Sequence, residues 1–99
     1  MSVNPLKFFE KLDPELFKLV ENTCDFTFEE GALTRKFKLL IAMALDALKG
    51  TVQGVKSLTQ EAIQAGATRE EVMEALRVAL FISGVGCVYT AAHAFRELF

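Results

Sequence analysis

The side chains able to do chemistry in this sequence are few and lie far apart. His93 is the only histidine. On a helix it would share a face with Tyr89 and Glu97, four residues to either side. Such a stripe has the makings of a proton relay. The carboxylate would orient an imidazole, a group that exchanges protons near neutrality, and the phenol would contact substrate. The plainer reading is a packed histidine near a subunit interface. Asp46 is the second acid–base candidate. It stands in the run Leu45-Asp46-Ala47-Leu48, close to the C-terminal end of a helix, where an anion opposes the helix dipole. A carboxylate drawn into the fold there would serve as an acid or base; otherwise it is a solvated aspartate beside Lys49. Lys38 offers a cation to an acidic ligand, or simply extends the basic turn begun by Arg35 and Lys36.

Cys24 and Cys87 are too few for a disulfide scaffold and are not spaced as a metal knuckle. They read as separate buried thiols in a reducing cytosol. Cys87 follows a glycine bend near a helix start, a setting that can activate a thiol, but an inert buried side chain is preferred. One histidine leaves no histidine-based metal centre within a subunit. No phosphate loop, dinucleotide fingerprint or serine-nucleophile elbow is present. Neither a metal nor another cofactor is expected.

The elements that must position these residues are helices, because no segment alternates with period two and Pro and Gly fall at helix ends. Asn4-Pro5 opens a short helix to about Leu12, and Asp13-Pro14-Glu15 a second to about Asn22, with Leu16, Phe17, Leu19 and Val20 as its apolar stripe. Cys24 to Gly31 reads as a loop pinned by Phe26 and Phe28. Thr34 caps a third helix to Lys49, stopped by Gly50. Its stretch Leu39 to Leu45 is continuously apolar and should be buried on nearly every side. A fourth helix runs from about Val52 to Ala65. Thr68-Arg69-Glu70-Glu71 has the form of a capping box for a fifth helix to Ser83, with Val72, Leu76, Ala79 and Leu80 facing inward. After Gly84-Val85-Gly86 a last helix carries Cys87 to Leu98. The expected fold is all-α, a compact five- to six-helix domain over residues 1–99.

Composition sets the outer limits. The chain has 99 residues, of which 52% are hydrophobic and 24% charged, and its mean hydropathy is +0.29. Soluble domains hold about 45–50% apolar residues even with glycine counted. A chain of this length buries only about 60–65% of its unfolded surface. Other copies of itself are the natural cover for the surplus. Disorder is excluded. With 11 basic against 13 acidic residues there is no cationic field for nucleic acid. Val78 to Phe95 lacks charged residues, but Ser83, Gly84, Gly86, Thr90 and His93 interrupt it. It reads as two helices meeting at a buried turn rather than as a membrane span. The segment Met1 to Glu10 has no cationic leader, so a soluble cytoplasmic protein is expected.

Three stretches in order, Gly31–Leu45 (GALTRKFKLLIAMAL), Ala65–Val72 (AGATREEV) and the Gly84–Gly86 bend before an alanine-bearing helix, resemble the carboxymuconolactone decarboxylase family, which includes the alkylhydroperoxidase D-like proteins. The resemblance covers roughly Glu29 to Phe95. It implies an all-helical domain that forms homo-oligomers, commonly trimers or hexamers. In the peroxidase branch, Cys-x-x-Cys-x-x-x-His opens the helix before the Ala-Gly-Ala-Thr turn, with a glutamate upstream. Its thiolate would attack a peroxide while Glu and His relay protons.

Counting back from Ala65 puts the cysteine positions at Thr51 and Gly54, the histidine at Leu58 and the glutamate at Leu39. None carries the required chemistry, since a hydroxyl cannot cycle through a disulfide and leucine moves no proton. Asp46 lies seven residues after Leu39, on the same helical face, and is placed to reach the same cavity. Thr51 and Gln53 could hydrogen-bond a ligand where the thiols are missing. The preferred expectation is a family member without the cysteine pair, binding or processing a small acidic or lactone molecule by acid–base chemistry. His93 and Asp46 are its catalytic candidates, and Thr51, Gln53, Tyr89 and Lys38 its substrate-binding ones. The rivals are a non-catalytic oligomeric binding module and, last, a thiol peroxidase using Cys24 or Cys87.

Overall fold

The computed structural model describes residues 5–99, and every regular element among them is helical. A 3-10 turn, Pro5–Phe8, runs into α1 (Phe9–Leu12); α2 (Pro14–Phe28), α3 (Arg35–Lys49), α4 (Val52–Gln64), α5 (Arg69–Ser83) and α6 (Gly86–Phe95) follow. The expected cap at Asn4 lies outside the described residues. No helix is long and apolar enough to cross a membrane, among the described residues.

Local chemistry accounts for the boundaries. Asp13 accepts the Leu16 amide at 3.1 Å with Pro14 at the first helical position, and Thr34 accepts the Phe37 amide at 3.4 Å. Gly50 ends α3 with φ 79°, a left-handed conformation that costs a glycine little. The capping box closes reciprocally: Glu71 N–H donates to Thr68 Oγ1 at 3.1 Å, and Thr68 N–H to Glu71 Oε1 at 2.8 Å.

α3 is the centre of the body, packed against α4, α5 and α6. Leu39, Met43, Val55 and Val72 are fully buried, and Ala47, Ala62, Ala79, Ala91 and Ala94 let the helices approach closely. Thr59 is buried with them, its hydroxyl without a hydrogen-bond partner. α1 and α2 stand apart from this body and bury no residue.

Several expectations change. α2 does not stop at Asn22 but continues to Phe28, since no glycine or proline interrupts it and Phe28 packs onto the core. Only residues 29–34 form the connection. Phe28 therefore does the pinning, whereas Phe26 points away from the body and is exposed. The run Leu39 to Leu45 is not buried all round: Leu39, Leu40 and Met43 are, but Ile41 and Leu45 are exposed. Leu80 is likewise exposed, and α6 ends at Phe95 rather than Leu98. The Gly84–Gly86 turn lies at the surface.

Glu71 links the cap to the body, because Lys36 Nζ of α3 also donates to its carboxylate at 2.9 Å. The Thr68 backbone N–H first, and Lys36 second, hold this carboxyl below the ordinary glutamate value. A lowered folded-state pKa stabilises above the unfolded value, and the contribution disappears as pH falls through the lowered one. The urea midpoint of the wild type should therefore exceed that of Glu71→Gln at about pH 6 and converge with it near about pH 3. A gap that does not change with pH would show that the charge plays no part.

Candidate functional site

The turn between α3 and α4 brings the candidate groups together. At the end of α3 the Gly50 amide donates to Ala47 O at 3.2 Å and the Thr51 amide to Asp46 O at 3.0 Å. The chain reverses there, and α4 returns along α3 so that its third residue, Gly54, passes directly over the Asp46 side chain. A β-carbon on Gly54 would stand 2.1 Å from Asp46 Oδ2, 2.9 Å from its Cγ and 3.2 Å from Thr51 Cγ2. Glycine in a helix interior costs about 1 kcal/mol relative to alanine. Here its missing side chain is the space the carboxyl group occupies.

The Asp46 carboxylate is half-buried, and no hydrogen bond or ion pair holds it among the described residues. Thr51 is the N-cap of α4, yet its exposed hydroxyl makes no capping bond. The Gln53 amide is exposed and equally unengaged. One turn thus presents an acceptor, a hydroxyl and an amide, none satisfied by the protein. By residue count, Thr51 and Gly54 are the positions that correspond to the cysteine pair in the resemblance described above, and Asp46 meets them both. The other two correspondents, Leu39 and Leu58, belong to the core packing.

The remaining candidates lie elsewhere. Lys38 donates to the Glu29 carbonyl and sits eight residues before Asp46, about 12 Å along the helix axis. His93 and Tyr89 are exposed on α6. Glu97 falls beyond the end of α6 and pairs with Lys56 of α4, whose ammonium holds the carboxyl below the ordinary glutamate range. The Tyr89–His93–Glu97 relay is therefore not assembled: its carboxylate is turned to Lys56. Cys87 is buried and its thiol donates to Gly84 O at 3.3 Å. Cys24 is exposed on α2, contrary to the expectation of a buried thiol, because α2 leaves the body.

Gly54 was legible as a missing cysteine, but its packing against Asp46 was not. The available signal was a glycine inside an otherwise uninterrupted helix, which calls for a packing reason. A polar cleft of about 500 Å³ lies around Arg35, Glu61, Gln64 and Gly66, and an apolar groove of similar volume between α3 and α5. Neither Asp46 nor His93 lines them.

The sequence model of the carboxymuconolactone decarboxylase family matches residues 14–97. The chain belongs to the carboxymuconolactone decarboxylase family. The solved apo structure of lpg0406, a family protein from Legionella pneumophila, superposes with a TM-score of 0.86 at 35% identity, over 93% of this chain and 85% of that one. The uncharacterized protein MJ1511 of Methanocaldococcus jannaschii is 27% identical over 93 residues, 94% of this chain and 87% of its own length. The all-helical family fold is thus present together with a turn that carries Asp46, Thr51 and Gly54.

The Asp46–Gly54 contact predicts non-additivity. Gly54→Ala should gain less in the wild type than a glycine-to-alanine change ordinarily does in a helix, because the carboxyl must first turn out of its slot. In an Asp46→Ala background the same change should stabilise by about 1 kcal/mol, the gain of alanine over glycine in a helix. Urea unfolding of the four proteins in the cycle, at one fixed concentration, measures both. Equal effects in the two backgrounds would show that the residues do not interact.

Proposed function

We propose that this family member binds and processes a small lactone or related carbonyl compound at the α3–α4 turn, by acid–base rather than thiol chemistry. The observation that carries the reading is the Asp46 carboxylate, half-buried, unpaired and seated in the space left by Gly54. A carboxylate in that state is free to act as a general base. It would take a proton from carbon next to the carbonyl, while the Thr51 hydroxyl and Gln53 amide donate to the oxygen on which negative charge develops. Lys38 donates to Glu29 O about 12 Å along α3 from Asp46, so it takes no part at the turn, where Lys49 is the nearby cation. His93, exposed on α6, serves in this reading as a solvent-side proton carrier and Tyr89 as its neighbour.

The working form is a homo-oligomer, a trimer or hexamer, in the cytoplasm. What supports assembly is the amount of apolar side chain left at the surface, Phe26, Ile82 and Phe81 among others. The rival reading, a binding module without turnover, is favoured by one observation: Glu97 is held by Lys56, so His93 lacks an orienting carboxylate.

Proton exchange separates the two. An enolisable γ-lactone is incubated with the full chain in deuterated buffer and deuterium uptake next to the carbonyl is followed by NMR. The expected result is exchange faster than in buffer, falling by about 10²–10⁴ in Asp46→Asn and unchanged in the Cys24→Ser, Cys87→Ser double variant. Binding of the lactone without accelerated exchange would support the module. Exchange unaffected by Asp46→Asn would overturn the assignment of this site.

A further inference from the structure

α2 and the α3–α5 groove are two unpartnered apolar surfaces of one chain, and they match. α2 is 15 residues long and buries none of them, although isolated helices of about 12–15 residues are marginal in water. Leu16, Leu19, Thr23 and Phe26 follow one another on α2 at spacings of three, four and three residues, the seam of a packed helix. That seam faces solvent: Leu16 is 39% exposed, Leu19 63% and Phe26 80%. The chain is extended accordingly, with a radius of gyration of 14.2 Å against about 13 Å for a compact domain of 100 residues.

The groove has the complementary form. Phe37, Ile41, Ala44 and Leu48 make one wall from α3 at spacings of four, three and four. Ala75, Val78 and Ile82 make the other from α5 at three and four. Val78 is 66% and Ile82 69% exposed, and no residue of the chain's own α2 lines the groove. Phe37 to Leu48 covers about 16 Å of helix and Leu16 to Phe26 about 15 Å, so the seam and the groove are equal in length.

Charge selects between the pairings these surfaces allow. α2 is net acidic, with Glu15, Glu21 and Asp25 against Lys18, whereas α3 keeps a smaller basic excess, Lys38 and Lys49 against Asp46, because Arg35 and Lys36 are paired with Glu61 and Glu71. α5 is close to balanced. Two α2 helices together would juxtapose like charges, as would two grooves meeting through α3; α2 laid in the groove brings opposite charges together. The chain's own α2 is directed away, since Phe28 is packed on the core with Arg35 over its ring at 5.8 Å. We infer that the groove between α3 and α5 receives α2 of a second copy, so that the chains of the oligomer exchange their N-terminal helices as helix in groove. The inference rests on the assembly put forward above and names the surfaces through which it occurs.

Cross-linking between two distinguishable chains tests it. One tagged chain carries Leu19→Cys and the other Ile41→Cys, both with Cys24→Ser; they are co-expressed in full length and treated with a short bis-maleimide. A second pair, Thr23→Cys with Val78→Cys, guards against one poorly placed pair. The expected product is the mixed dimer, α2 of one chain to the groove of the other. Like-to-like dimers in place of the mixed one overturn the exchange, as does its absence from both pairs. So does an internal link when both substitutions are put in one chain. Leu19→Asp should reduce the native mass to that of the 11.0 kDa chain while its helices still unfold cooperatively, and an unchanged assembly mass would contradict the inference. Native mass spectrometry of the unmodified protein keeps the two claims apart: a monomer removes the oligomer itself, whereas an oligomer with only like-to-like links removes the exchange alone.

Discussion

The architecture of the body turns on how tightly α4 returns along α3. Gly50 allows the reversal by taking up a left-handed conformation, and Gly54 allows the approach by having no side chain. Everything polar that stands ready for chemistry on this turn depends on that approach. A bulkier residue at position 54 would turn the Asp46 carboxyl out of this seat, and a looser turn would leave it fully in water, where an aspartate is unremarkable. The same packing drives Leu39, Met43 and Val55 into the core that α5 and α6 complete. Scaffold and candidate site are therefore set by one turn rather than by separate devices.

The apolar surplus of the sequence is divided unevenly. Inside, alanines at 47, 62, 79, 91 and 94 take little volume and let the helices α3–α6 close on one another. The large side chains are spent largely outside, on α2, on the open side of α3 and on α5 running into the Gly84 turn. A small domain with phenylalanine, isoleucine and leucine at its surface exposes apolar area that association would bury. This is the physical reason to regard a single chain as part of a larger object, whichever partner surface proves to be used.

Much of the fold could be read from local chemistry. The Asp13-Pro14 and Thr34 caps, the Gly50 stop and the Thr68–Glu71 box each announce a helix end by a rule that acts within a few residues, and each stands where expected. The misreadings concern what distant residues decide. Whether α2 ended at Asn22 depended on Phe28 finding the core, and whether Ile41 was buried depended on how far α5 stands from α3. Neither is encoded in local spacing. At the turn the sequence singled out Asp46, Thr51 and Gln53, which the structure sets at the junction of α3 and α4. It also grouped His93 with Glu97 by helical spacing, but α6 ends at Phe95, before Glu97. What it could not supply was the competing partner Lys56, which comes from another helix. The family resemblance, by contrast, rested on the order of three stretches between Glu29 and Phe95, and the family model extends the match back to residue 14.

Acid–base chemistry by the Asp46 carboxylate, as proposed for the α3–α4 turn, requires that no thiol redox cycle operate there. The most direct measurement is consumption of an organic hydroperoxide by the purified full chain in the presence of a dithiol reductant. The expected result is a rate equal to that of buffer with reductant alone, because Thr51 and Gly54 supply no thiol and Cys87 is buried against Gly84 O. Sustained turnover that disappears in the Cys24→Ser, Cys87→Ser double variant would contradict the account and return the protein to thiol redox catalysis.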